Sequence, residues 1–180
     1  MKINRRFFAE SLVVRLGIAL GAIVALALAA TISATVFAEL STGKAAAINI
    51  AGSLRMQSYW ITVQVLRAGE RGRPASELQH SIAEYESRLG SPQLLGGVPS
   101  DADSPTRRAY DRIASAWMGT LKPAILHTAA QAAPARDAFV SRMAAYVLDV
   151  DRLVYLLEQD LERRIQVLRM IQGAALFAII

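Results

Sequence analysis

Cysteine is missing from all 180 residues, which removes disulfides, thiolate nucleophiles and Cys-ligated metal or iron–sulfur sites. Histidine is nearly as scarce. His80 and His127 are the two, set far apart along the chain, so a His-rich metal centre is excluded as well and both read as surface residues. Aromatics make up only 7%. No carboxylate pair stands out as acid–base machinery; Glu84, Glu86 and Glu158 are scattered charges on helix faces. No β-hairpin signal of any strength occurs, and no phosphoacceptor His in a helical hairpin or Gly-rich nucleotide lid. These residues therefore carry no catalysis of their own, and neither cofactor nor metal is expected. What is abundant is Ala and Leu, which favour helix. A hydrophobic content of 53% is too high for a disordered tail, and the length is too short for a multidomain enzyme.

The net charge of +5 would suit a nucleic-acid binder, but its distribution argues against one. Within residues 1–15, Lys2, Arg5, Arg6 and Arg15 face a single acid, Glu10, whereas the rest of the chain is close to balanced. The excess is a basic tag beside an apolar run, not a basic face, and no nucleic acid is expected as a partner.

That apolar run, residues 16–38, contains no charged residue and exceeds the roughly 20 positions that a helix needs to cross a bilayer. Basic residues before it and Glu39 after it place residues 1–15 in the cytoplasm. Val36-Phe37-Ala38 fits a signal-peptidase pattern, but an apolar stretch of this length favours an uncleaved anchor over a secretory signal. At the other end, residues 170–180 carry no charge and read as the start of a second transmembrane helix. Arg163-Arg164 would then sit at the outer membrane surface.

Breakers divide residues 39–169 into four helices: Leu40 to Ala68, Pro74 or Ser76 to Gly90, Ser104-Pro105 to Ala132, and Ala135 past Arg169. A loop rich in Gly, Pro, Ser and Asp fills Gly90 to Asp103, and Pro123 should kink or break the third helix. The fourth helix carries an apolar seam at Met143, Val147, Val150, Val154, Leu157 and Leu161, resuming at Leu168 and Ile171. The first carries a stripe at Ala47, Ala51, Leu54, Ser58, Ile61 and Val65. Such seams belong to helices packed nearly antiparallel. The expected fold is all-α, an antiparallel four-helix bundle with a transmembrane helix before it and the start of another after it.

A second set on the first helix, Ile48, Gly52, Arg55, Tyr59 and Thr62, shares one face. It joins a cation to a residue without a side chain and to an aromatic. Glycine inside a helix costs up to about 1 kcal/mol relative to Ala, so Gly52 calls for close approach by another helix or a ligand beside Arg55.

The stretch Asn49-Ile50-Ala51-Gly52-Ser53-Leu54-Arg55-Met56-Gln57-Ser58-Tyr59 resembles the P-box of the NarX and NarQ nitrate/nitrite sensor histidine kinases, whose sensor region is also similar to the N-terminal part of type IV pilus chemotaxis transducers. Val147 to Glu158 resembles the family's second, weaker box. The resemblance implies a homodimeric sensor domain in the periplasm, anchored in the bacterial inner membrane. It also implies one nitrate or nitrite held between the two copies of Arg55, with Gly52, Ile48, Ser58 and Tyr59 completing the site. Ser58 and Tyr59 would serve more as core or interface residues than as direct contacts. Trp60 and Ile50 depart from the pattern, standing where basic residues are expected in some relatives, which makes the surround less positive. Like charges on the paired arginines would repel until a planar anion settles between them. The input would pass by helix displacement to an output domain beyond residue 180, and from there to a cytoplasmic response regulator. Two other readings fit the same bundle: the sensor of a chemotaxis or pilus-type transducer for another small ligand, and a tethered bundle that senses nothing.

Overall fold

The structure, a computed structural model, describes residues 5–67, 75–128 and 133–177. They form α1 (Arg5–Arg67), α2 (Ala75–Leu89), α3 (Pro92–Gly97), α4 (Pro105–Ala116), a π-helical turn (Trp117–Leu121), α5 (Lys122–Thr128) and α6 (Ala133–Phe177). No strand occurs among them. The chain divides into two compact units, Met1–Leu40 with Gln172–Ile180, and Ser41–Ile171.

In the first unit, Leu12–Thr35 is long and apolar enough to cross a membrane. Three consecutive side chains, Leu12, Val13 and Val14, are all exposed, so no face of this part of the helix is claimed by a protein core. Its two threonine hydroxyls are satisfied from within. Thr31 donates to the Ala27 carbonyl at 2.8 Å and Thr35 to that of Thr31 at 3.0 Å, as a segment deprived of water requires.

The second unit is an antiparallel four-helix bundle built from the later part of α1, from α2, from α4 with its π-turn and α5, and from α6. The α1 stripe lies in the core as its spacing predicts: Ala47, Ala51, Leu54, Ser58, Ile61 and Val65 are each fully buried. The α6 seam differs in part. Met143, Val147, Val150 and Leu157 are buried, but Val154 and Leu161 are only half-buried and Ile171 is exposed. Phe139, Tyr146 and Leu153 take core places instead. The actual seam is 139, 143, 146, 150, 153, 157, and the hydroxyl of Tyr146 disguises it in the sequence.

That hydroxyl meets Tyr85 Oη at 2.6 Å, inside an aromatic cluster where Tyr85 stacks on Trp117 with centroids 4.0 Å apart. Burial pushes the Tyr85 phenol up to about 12; it raises that of Tyr146 too, and the neighbouring Tyr85 adds to the effect. At the edge of the cluster, Trp117 Nε1 donates to Glu86 at 3.2 Å, and Lys122 holds the same carboxylate at 2.6 Å. The Lys122 bond is the main reason that the Glu86 carboxyl lies below its ordinary range.

Pro123 does not break the third helix. The backbone widens just before it: the Lys122 N–H bonds to the Trp117 carbonyl, five residues back, and helix then continues as α5 through Thr128. The wide turn also explains a spacing. Ala109, Ile113, Trp117, Leu121 and Ile125 are all buried at strict intervals of four. A regular α-helix would rotate such a row by about 40° per step away from the core, and a π-turn takes up that drift.

The expected loop Gly90 to Asp103 contains a helix of its own, α3, started by Ser91 Oγ accepting from the Leu94 N–H at 3.3 Å. Leu94 is fully buried. Gly97 lies so close over α1 that a Cβ there would collide with the Cβ of Ala47. The ends expected near Ala68 and Ala132 lie outside the described residues.

Candidate functional site

Arg55 follows the buried Leu54 on α1 and is half-exposed, with 51% of its side chain open to solvent. Its Nη1 donates to Asp151 Oδ1 at 3.0 Å. Asp151 lies on α6 within the stretch Val147 to Glu158, and sequence reasoning gave it no role. The guanidinium is therefore not a bare charge, as the expectation of mutual repulsion assumed, but one already joined to a carboxylate. An ion pair this exposed is worth only about 0.2–1 kcal/mol. Its chief effect is to orient the guanidinium, whose remaining N–H groups meet no partner among the described residues.

Around this pair several large apolar side chains are exposed. On α1, Met56 is 73% exposed and Tyr59 56%; on α6, Leu148 is 69% exposed and Tyr155 60%. Gly52 and Tyr59 lie one turn to either side of Arg55, and Leu148 and Tyr155 one turn to either side of Asp151, so the ion pair crosses the middle of a two-helix face. A Cβ built on Gly52 meets nothing within 4 Å. No part of the described chain thus explains a glycine there, and the open space lies on the outer surface.

The other residues of the sequence-derived set divide. Ile48 is half-buried and packs against the core, at the edge of the face. Thr62 donates to the Ser58 carbonyl at 2.8 Å. Ser58 stands apart: its side chain is fully buried, and its hydroxyl donates to the Leu54 carbonyl at 2.9 Å beside the Tyr85 phenol. It belongs with the aromatic cluster rather than with Arg55. Trp60 and Ile50 flank the box, Trp60 half-exposed and Ile50 half-buried. His80 and His127 are both exposed. Among the described residues no three His, Asp or Glu side chains group to hold a metal ion.

Beyond Trp60 lies an open concavity of about 220 Å³ between α1 and α2, which Arg88 also lines. Its guanidinium is engaged by Glu84 and by Gln57 Oε1, so Arg55 is the better-placed donor for a ligand.

Residues 38–143 match the family of the type IV pili methyl-accepting chemotaxis transducer N-terminal region, PilJ. The solved sensor domain of the Escherichia coli histidine kinase NarX, in complex with nitrate, is similar at 26% identity with a TM-score of 0.53; the likeness covers 69% of this chain and 96% of that one. No curated protein matches the sequence.

Proposed function

The chain belongs to the family of type IV pili methyl-accepting chemotaxis transducer N-terminal regions and is a sensor input module, and on that footing we propose that it senses nitrate or nitrite through Arg55 at the interface of a homodimer. One observation carries the reading: a half-exposed guanidinium, oriented by Asp151, presents its unengaged donors beside a bare Gly52, among the exposed side chains of Tyr59, Leu148 and Tyr155. Nitrate is planar and singly charged, and the guanidinium fork is planar with donors at fixed angles. An apolar rim closed by a second copy would strip water from the contact and strengthen each charge-assisted hydrogen bond. The nitrate held by the similar NarX domain supports the choice of anion.

In a two-fold dimer the two Arg55–Asp151 pairs would be neutral overall. The anion would then be selected by donors left over after each Asp151 is served, rather than by a bare positive patch. Because anion and carboxylate share one guanidinium, the ligand favours those arrangements of α1 against α6 that serve both, which is the differential affinity a switch needs. The apolar Leu12–Thr35 segment would anchor the module in the inner membrane with the bundle in the periplasm. α1 carries this segment and Arg55 in one helix, so displacement of α1 relative to α6 would be the signal.

Calorimetric titration of nitrate into the full chain in lipid nanodiscs, beside Arg55→Ala, tests the assignment. The variant should stay folded and lose binding; equal binding by both would assign the anion elsewhere. A second reading concerns the output alone. The family match favours a chemotaxis-type transducer, whereas the likeness to NarX favours a histidine kinase. Phosphotransfer from ATP by the intact receptor would decide for the kinase.

A further inference from the structure

α4 and α6 enclose a small concavity of about 70 Å³, lined by Pro105, Arg108, Ala109 and Arg112 on one side and by Asp149 and Arg152 on the other. Three guanidiniums and one carboxylate line it, and a second carboxylate, Asp103, stands outside the lining near Arg108, so the site stays net positive. Compensation within the chain is loose. Arg112 approaches Asp149 at 3.6 Å, and Arg108 approaches the almost fully exposed Asp103 at 3.9 Å, both beyond hydrogen-bonding distance. Arg152 has no hydrogen-bond or ion-pair partner among the described residues. The contrast with Arg107 is informative: its Nε lies 3.0 Å from both carboxylate oxygens of Asp111. Saturating an arginine on α4 is therefore feasible, and it is done one position away from the concavity but not inside it. Arg108 and Arg112 are also spaced i,i+4, where like charges repel, and Arg152 adds a third across the groove.

We propose that this concavity is a second oxyanion site, which takes a tetrahedral dianion of the phosphate or sulfate class. Three guanidiniums around one concavity suit a dianion better than nitrate, and donors arriving from two helices suit a tetrahedral ligand better than a planar one. A volume with room for a few water-sized groups suits a five-atom oxyanion. Each arginine brought from a loose contact to a direct one gains charge-assisted hydrogen bonds. Asp149 stays on Arg112 and limits affinity, since it is the one negative group in the lining. The proposal stands independently of the reading of Arg55, which lies outside this lining.

The test is calorimetric titration of the full chain in nanodiscs of neutral lipid with inorganic phosphate and, separately, sulfate, at constant ionic strength in chloride and pH 8. Saturable binding of either anion is expected. Arg152→Gln should weaken it by about tenfold or more, Arg152→Lys should recover part of the loss, and Asp149→Asn should tighten binding severalfold. Arg55→Ala should leave it unchanged. No heat beyond the chloride control, or equal phosphate affinity in the parent and Arg152→Gln, would overturn the proposal. So would Arg152-dependent binding of nitrate that exceeds binding of phosphate. Binding of a polyglutamate peptide in place of phosphate would overturn it in favour of an acidic protein partner.

Discussion

Arg55 on α1 and Asp151 on α6, 96 residues apart, share a hydrogen bond of 3.0 Å among exposed apolar side chains. Asp151 both aims the guanidinium and adds a negative charge close to any anion that the guanidinium receives. The two effects separate by substitution. Asp151→Asn keeps an acceptor for Nη1 and removes the charge, which at this exposure is worth about 0.5–1 kcal/mol; nitrate affinity should rise twofold to fivefold. Asp151→Ala removes the acceptor as well, and affinity should fall below that of Asp151→Asn. Nitrate titrations of both variants in nanodiscs check this, and a weaker Asp151→Asn would show that the carboxylate charge itself is required.

The exposed side chains of Tyr59 and Leu148 should be covered when two copies associate. Tyr59→Asp or Leu148→Asp would then place a carboxylate in that contact and weaken association by about 2 kcal/mol or more, with nitrate binding lost in parallel. Sedimentation of the detergent-solubilised chain reads the first effect and calorimetry the second. Persistence of a dimer in both variants would move the interface to another face.

Alkaline pH should unfold the bundle through its tyrosine pair. Unfolded tyrosines titrate near 10, whereas burial holds Tyr85 up at about 12 and raises Tyr146 as well. The folded state therefore retains protons that the unfolded state gives up. Stability is fully present below pH 10 and declines between pH 10 and 12 by about 1.4 kcal/mol per pH unit for each tyrosine. Denaturant melts followed by circular dichroism over pH 8–12 would record the slope, and Tyr85→Phe should reduce it. A flat profile to pH 11.5 would contradict the burial of the pair.

Gly97→Ala should destabilise the bundle by about 1–3 kcal/mol, lowering Tm by about 3–10 °C, because the new Cβ collides with Ala47 and α3 must withdraw from α1. Combining it with Ala47→Gly removes the collision and should restore part of the loss. A double-mutant cycle in thermal melts measures this coupling.

The α1 stripe was fully legible because every member except Ser58 is apolar and the period is regular. The α6 seam was legible at Met143, Val150 and Leu157 but was drawn through Val147 instead of Tyr146, since Tyr146 reads as polar until its hydroxyl is seen to be paired with Tyr85. α3 escaped because six residues bounded by Pro92 and Gly97 offer too few turns for a period to appear. On the candidate site, Arg55 and Gly52 stood out as a cation and a glycine on a helix face. Asp151 did not, because pairing across two helices leaves no trace in local spacing. Ser58 has the same period as the core stripe, and that membership outweighs its place in the box.

The π-helical turn holds one residue more than an α-helical path between Ala116 and Lys122 would need. A chain shortened by a single position within 117–121 could therefore close the gap into ordinary helix, leaving the faces of α4 and α5 directed at the same neighbours. Loss of one residue from the middle of α2, where there is no such slack, would turn everything beyond it by about 100°. The third helix thus contains a built-in place that can absorb the loss of one residue, next to the indole that fastens it to Glu86.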